Sequence, residues 1–211
     1  MKRGHTMRFV KIYALEIFTV ISLIIICVTV FIQTDMIQRF SAALLLLFVF
    51  HEWEEGHYPG GFADLIMGTI GIQIDEETQK GTRVYTSIYL LALILVPMCA
   101  SGYTWLILPA CFLCFWEGFI HIAGIKILQT GRPYTPGMIT ALLEAAAAIF
   151  IIVYLSTNHS VTAVQYLFGI GLMVIGFIIM QRAIVRSTGY RYRDLPKMMK
   201  ANLKKRRERS E

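Results

Sequence analysis

The chain has 211 residues, of which 56% are hydrophobic and only 16% are charged, and its mean hydropathy is +0.59. Soluble domains carry about a quarter charged residues, so this composition excludes an ordinary soluble protein and predicts a multi-pass protein of the cell membrane. The net charge is +6, and 11 of the 20 Lys and Arg residues lie from Arg182 onward. A basic segment after the last span indicates a cytoplasmic tail that attracts anionic lipid headgroups, rather than a nucleic-acid-binding region.

The apolar runs predict about six membrane-spanning helices, because each run has roughly the 17 to 25 residues that a span needs. The first run is interpreted as a retained span, since it is longer than the core of a signal peptide and has no small-residue cleavage site near its end. The predicted spans are Val10–Gln33, Ile37–Glu54, Val84–Ala100, Thr104–Leu128, Gly137–Leu155 and Val161–Gln181. The expected fold class is therefore all-α, a polytopic transmembrane bundle over residues 1–185, followed by a basic cytoplasmic tail over residues 186–211.

Between the second and third predicted spans, Phe62 to Ile74 holds about 13 mostly apolar residues. This length is too short for a crossing and predicts an interfacial or re-entrant segment. In the last span, Gly169, Gly171 and Gly176 are expected to permit close helix packing.

The distribution of positive charge predicts that both termini are cytoplasmic, since Lys and Arg are enriched on that side of a membrane. Six crossings place the basic N-terminal segment, two of the predicted loops and the basic tail on one side. The basic residues of the N-terminal segment and these loops are Lys2, Arg3, Arg8, Lys11, Lys80, Arg83, Lys126 and Arg132. Arg39 is the exception, and its long side chain is expected to reach the outer interface.

The second predicted span ends in the sequence His-Glu-Trp-Glu-Glu, over residues 51–55. Ionisable groups are costly near hydrocarbon unless they pair, bind a cation or line a wet cavity, so they mark a functional site. Residues three and four positions apart share one helix face, so His51, Glu54 and Glu55 are expected to approach one cation. Imidazole nitrogens and carboxylate oxygens suit zinc, iron or manganese.

Other predicted spans carry ionisable groups at a similar depth. Glu117 and His121 are four residues apart on the fourth span, and Glu144 is on the fifth. We expect His51, Glu54, Glu55 and His121 to be metal ligands or an acid/base pair, with Glu117 or Glu144 supporting them. The alternative for each lone glutamate is an ion pair with a nearby Lys, His or helix terminus.

The loop between the fourth and fifth spans carries Arg132 and Tyr134. These side chains are expected to hold an anionic headgroup or the polar end of a substrate. Arg132 can equally be an anchor on the inner side of the membrane.

The arrangement of His51, Glu54 and Glu55 resembles that of the HXXEE domain family of membrane proteins, which is named for its His-x-x-Glu-Glu motif. The family pattern also includes a later histidine, for which His121 is the best match, and an Asn-Pro-Gly element. Pro136 and Gly137 match this element, whereas Thr135 stands where asparagine is usual. Threonine there is expected to cap the fifth helix. The resemblance covers about residues 44–143 and implies a shared site without a named reaction, because no biochemical activity is established for the family.

Three functions follow as hypotheses. The leading one is a membrane-embedded metal-dependent enzyme that acts on a lipid-like or hydrophobic substrate. The alternative is a small proton- or ion-coupled transporter or channel, in which the same side chains relay protons or bind a coupling ion. The third is a non-catalytic membrane partner that uses its basic tail for contact with lipid or protein. The substrate, the metal and the oligomeric state stay open.

Overall fold

The computed structural model describes residues 2–128 and 131–208, and within these ranges the chain is helical and has no strand. The all-α fold class is therefore confirmed. Residues 129 and 130 of the predicted 44–143 core and the last three residues of the predicted tail lie outside the described residues. The helices are α1 (Lys2–Ile12), α2 (Ala14–Phe31), α3 (Met36–Gly56), α4 (Phe62–Ile70), α5 (Glu76–Cys99), α6 (Leu108–Ile127), α7 (Met138–Thr157), α8 (Ala163–Ser187) and α9 (Leu195–Glu208). Short 3-10 turns precede α6 and α9, at Thr104–Ile107 and Tyr192–Asp194.

Within the described residues, five helices are long and apolar enough to cross a membrane: α2, α5, α6 with its preceding turn, α7 and α8. They correspond to five of the six predicted spans. The remaining predicted span is α3, a helix of 21 residues that is not one of the five. Its composition is the reason, because Arg39, His51 and three glutamates lower its mean hydropathy.

The turn between α2 and α3 is fixed by side chains at the start of α3. The Asp35 carboxylate accepts a hydrogen bond from Gln38 N at 2.9 Å, and the Gln38 side chain accepts one from Asp35 N at 3.1 Å. This reciprocal pair is a capping box, which satisfies two of the free N–H groups at a helix start. The Gln38 amide also donates to Met98 O at 3.0 Å, at the far end of α5. The turn therefore sends α3 back alongside α2 and delivers its acidic end to the opposite end of the bundle.

Helix α3 packs against α2, α5 and α7, while α6 packs against α7 and α8. The interior of the bundle is apolar along most of its length, and Leu44, Leu45 and Phe48 of α3 belong to the same buried cluster as Cys111 and Cys114 of α6. Large apolar side chains on α2, α7 and α8 are exposed, as expected for helices that face lipid.

Two of the three glycines in α8 allow close helix contact, as predicted. A Cβ on Gly169 would lie 2.7 Å from Leu108 Cβ, and one on Gly176 would lie 2.7 Å from the Tyr89 ring. The prediction is wrong for Gly171, where a Cβ would have no described atom within 4 Å. Its face of α8 is not at a helix–helix contact.

Three shorter elements gather where α3 ends and α5 begins, which we call the α4 end of the bundle. Helix α4 is shorter than the predicted apolar segment, because Gly71, with φ of 84°, ends it. The Arg8 guanidinium of α1 forms an ion pair with Glu77 of α5 at 2.9 Å. Helix α9 packs on α4. The basic helices α1 and α9 therefore lie at the same end of the bundle.

Candidate metal centre

Four ionisable residues meet at the α4 end of the bundle, and we call them the His/Glu cluster: His51, Glu55, Glu117 and His121. Each offers one ligand atom, and these atoms all lie within 4.8 Å of one another. Helix α3 supplies the first two residues and α6 the other two, each pair spaced four residues apart. Because that spacing places both side chains on one helix face, the two helices present matching His/Glu pairs to each other.

The centre of the cluster is the Glu55 carboxylate. Its Oε1 lies 3.0 Å from His121 Nε2 and 3.6 Å from His51 Nε2. The two imidazole rings meet edge to face, with their centroids 5.2 Å apart. The His121 side chain is fully buried, whereas 23% of the Glu55 side chain is exposed. The cluster is thus enclosed by protein on the His121 side and accessible on the Glu55 side.

The other ring nitrogen of each histidine is bound by the loop before α7 or by its first turn. His51 Nδ1 lies 3.2 Å from Gly137 O and 3.0 Å from Thr140 Oγ1. His121 Nδ1 lies 3.0 Å from Thr135 Oγ1, and that hydroxyl donates to His121 O at 3.2 Å. The Thr135 hydroxyl proton is thereby used, so its oxygen must accept from His121 Nδ1–H.

These contacts assign the proton of each neutral imidazole to Nδ1 and leave the lone pair of Nε2 facing the carboxylates. His121 Nε2 has no hydrogen-bond partner among the described residues. A nitrogen lone pair and a carboxylate oxygen 3.0 Å apart repel each other unless a cation or a proton lies between them. A histidine ligand that donates its second N–H to the protein is the usual arrangement around metals in proteins. The residues present therefore fit a metal ion.

The surrounding charge favours a cation as well. Glu52, Glu54 and Glu144 are buried, and each interacts electrostatically with a member of the cluster. The Arg83 guanidinium acts electrostatically on Glu52 and Glu55 and donates to Gly56 O at 3.2 Å. The single charge of Arg83 does not balance these three glutamates together with Glu55 and Glu117, and buried charges are stable only when they are paired or bind a metal.

Glu54, a predicted ligand, has a different position from the one expected. One of its oxygens accepts from the Tyr134 hydroxyl at 2.7 Å and from Ile139 N at 3.3 Å. The other accepts from Thr140 N at 2.8 Å and from the Thr140 hydroxyl. Glu117, which we expected only in support, takes the place of Glu54 in the set of four. The reason is rotational: successive helix residues differ by about 100°, so Glu55 faces α6 while Glu54 faces α7.

Glu54 also performs the capping that was expected of Thr135. The residue before α7 is Gly137, and it makes no side-chain cap. The free N–H groups at the start of α7 are bound instead by a carboxylate from another helix, which also complements the positive end of the helix dipole. The buried hydroxyl of Thr135 is directed at His121. Neither contact has a local sequence signal, because each joins segments far apart in the chain.

Gly137 lies directly against the His/Glu cluster. Its φ is 93°, and a Cβ there would be 2.6 Å from Glu55 Cγ, 2.7 Å from His121 Cε1 and 3.0 Å from His51 Cε1. Both the backbone conformation and the lack of space disfavour any side chain at this position. The Pro136-Gly137 turn is thus part of the wall of the site.

The remaining predicted site residues have three different surroundings. Burial, together with the hydrogen bond to the Glu54 carboxylate, raises the pKa of Tyr134 to about 12. Arg132 is exposed in the same loop. Glu144 is fully buried, and neither of its oxygens has a hydrogen-bond partner among the described residues. Glu117 and Glu55 lie close enough to act on it electrostatically.

Phe62, which the sequence did not indicate as a site residue, covers the His/Glu cluster at the α4 end. Its ring centroid is 4.4 Å from that of His121, and the planes are inclined by 30°. Phe62 is the first residue of α4, so this short helix forms one wall of the site.

No protein-family model, curated protein or solved structure matches this chain.

Proposed function

We propose that this protein is a membrane-embedded metal-dependent enzyme that binds zinc, iron or manganese through the His/Glu cluster. One observation carries the proposal: four ligand atoms from two helices lie within 4.8 Å of one another. Two histidines and two carboxylates give the nitrogen and oxygen donors that these metals take, and the two carboxylates balance a divalent charge.

Such a cation, when bound, polarises a carbonyl or phosphoryl oxygen of a substrate or lowers the pKa of a coordinated water. The chain itself supplies the rest. Thr135 and the Gly137 carbonyl hold the imidazoles in one tautomer, and Glu54 holds the start of α7 beside them. The cluster is accessible from the α4 end at Glu55, because the side chain of this residue is partly exposed. Glu144 offers a polar group beyond the cluster for acid/base work.

The proposed substrate is lipid-like or hydrophobic. The site lies at the end of a bundle whose outer faces on α2, α7 and α8 are apolar and exposed. A hydrophobic molecule dissolved in the membrane can approach the site along these apolar faces, whereas a polar solute has to enter past α4.

We further propose six spans, with α3 as the sixth, and cytoplasmic termini. In support, α3 returns the chain over the length that α2 crosses, and its 21 residues measure about 31 Å at 1.5 Å each. The basic helices α1 and α9 lie at the same end of the bundle, as an even number of crossings requires. That end is the cytoplasmic one by the positive-inside rule.

Membership of the HXXEE family also stays a proposal. It is supported by the positions of the motif residues: His51 and Glu55 lie in the His/Glu cluster with His121, and Gly137 packs against all three.

Anionic lipid headgroups are the proposed partners of the exposed lysines of α9, each expected to contribute about 1 kcal/mol near such a surface. Native mass spectrometry checks this, since replacing these lysines by glutamine should reduce bound anionic lipid but not neutral lipid.

The metal content of the purified full chain tests the proposed function. Elemental mass spectrometry should find about one equivalent of zinc, iron or manganese. His121→Ala and Glu55→Gln should lose it, while His57→Ala should keep it. His57 is a matched control, because it is exposed and its ring packs on Trp53, 5.0 Å away, outside the cluster. A folded wild-type protein that stays metal-free after reconstitution with each metal contradicts the proposal.

Glu144 favours a second candidate, the proton- or ion-coupled transporter. Its carboxyl is fully buried, has no hydrogen-bond partner among the described residues and lies near Glu117 and Glu55, so the three form a series of acidic groups within the bundle. Transport predicts charge movement across proteoliposomes that Glu144→Gln abolishes. An enzyme predicts no charge movement, together with metal-dependent turnover of a membrane lipid.

A further inference from the structure

Helix α4 is suited to movement. It has nine residues, of which Thr69 alone is buried. Glycines with positive φ bound it on both sides: Gly61 at 91° and Gly71 at 84°. A Cβ on Gly61 would meet no described atom within 4 Å. A short helix with little buried surface between two glycines belongs to the low-stability part of a fold, where local opening is easiest.

Within the described residues, side chains of α5 and α9 attach α4 to its neighbours through hydrogen bonds. The Gln79 amide of α5 donates to the Asp64 carboxylate at 2.9 Å. The Asn202 amide of α9 donates to Gly68 O at 2.8 Å and to Thr69 O at 3.0 Å. The carbonyls at the end of a helix lack partners within the helix, so Asn202 satisfies two of them.

The sequence of α9 explains why this helix packs on one side only. Its half-buried residues recur at helical spacing and form one face: Leu195, Met198, Met199, Asn202 and Leu203. Its exposed face carries the lysines at 197, 200, 204 and 205. An apolar stripe opposite a charged face is the pattern of a helix that packs on one side only. Because α9 packs on α4, this stripe is already occupied.

We propose that α4 is a lid over the His/Glu cluster and that α9 is the latch that holds it closed through Asn202. Phe62 covers His121 at one end of α4, and Asn202 binds the other end. Release of Asn202 frees α4 to turn about Gly61 and Gly71 and uncovers the imidazole. Opening at this position extends the access from the α4 end, which in the closed form reaches the exposed part of Glu55, so that a metal ion or a polar group also reaches His121. This inference rests on the proposed function only for the identity of the molecule or ion that passes the lid.

The rate at which diethyl pyrocarbonate modifies His121 tests the lid without any metal. The full chain, in lipid nanodiscs and treated with chelator, is exposed to the reagent, and modified His121 is followed by peptide mass spectrometry. Asn202→Ala should raise the rate roughly fivefold, as expected when hydrogen bonds of ordinary strength are lost. Phe62→Ala removes the covering ring and sets the upper limit.

Asn158→Ala is the matched control. The Asn158 amide also donates to a helix-terminal carbonyl, Tyr154 O at 2.7 Å, but at the far end of α7. An equal increase in this variant, or a wild-type rate in Asn202→Ala, overturns the latch. A wild-type rate in Phe62→Ala overturns the lid. A chain ending at Gly189, which lacks α9, must repeat the Asn202→Ala result. Metal-free wild-type protein would contradict the proposed function yet leave these rates readable.

Discussion

His121 Nε2 lies 3.0 Å from Glu55 Oε1, although 66 positions separate the two residues in the chain. The histidine is fully buried, and its opposite nitrogen is bound by Thr135. Helices α3 and α6 thus meet at a contact between two electron-pair donors, the imidazole nitrogen and the carboxylate oxygen, which requires a cation or a proton between them. The predictions below separate the residues that complete this contact from those that only hold it in place.

Substitution of Glu55 should affect metal binding, whereas substitution of Glu54 should affect stability. Glu55→Gln should abolish metal binding, because it removes a negative charge at the centre of the cluster, and should leave the free energy of unfolding nearly unchanged when both proteins are compared without metal. Glu54→Gln should retain metal but lower the free energy of unfolding by about 1 to 3 kcal/mol, since it weakens four hydrogen bonds to α7 and its loop. Elemental analysis and denaturant unfolding in detergent measure the two effects. Loss of metal in both variants would mean that Glu54 is itself a ligand.

Gly137→Ala should destabilise the protein by about 1 to 3 kcal/mol and reduce metal binding, because the new methyl group meets Glu55, His121 and His51 at 3.0 Å or less. Gly171→Ala is the control, since its Cβ would meet no described atom within 4 Å. That variant should keep wild-type stability or gain slightly from a better helix former. The melting temperature and the metal content of both variants test this prediction. Equal values for the two variants would refute the close contact of Gly137 with the cluster.

Thr135→Val should lower metal affinity by roughly 10- to 100-fold, because His121 loses the acceptor that fixes its tautomer. Thr135→Ser keeps the hydroxyl and should retain most of the affinity. Competition with a chelating dye measures both. If the serine variant is as weak as the valine variant, the hydroxyl has no part in orienting the imidazole.

Tyr134 should make stability depend on pH in the alkaline range. The pKa of Tyr134 is raised from 10.0 to about 12 by burial and by the hydrogen bond to Glu54. A raised folded-state pKa gives stability that is complete below pH 10 and is lost as the pH rises to about 12. The difference in melting temperature between wild type and Tyr134→Phe should therefore shrink over this window. A constant difference across the window would argue against the predicted titration.

The sequence alone determined the helical character of the chain and the helix face on which its ionisable groups lie. Hydropathy and the 3.6-residue period are local properties, so α2, α5, α6, α7 and α8 and the His/Glu pairs at four-residue spacing could be predicted from them. The same reasoning could not tell Glu54 from Glu55, because both lie near the direction of His51 on α3.

The tertiary structure decided which helix each side chain meets. Glu55 faces α6 and joins Glu117, whereas Glu54, about 100° away, faces α7 and caps it. The contacts of Thr135, Gly137 and Phe62 with the cluster likewise depend on how segments distant in the chain pack together. The docking of α9 on α4 has the same origin: its amphipathic stripe requires a partner surface, but only the packing of the whole bundle selects α4.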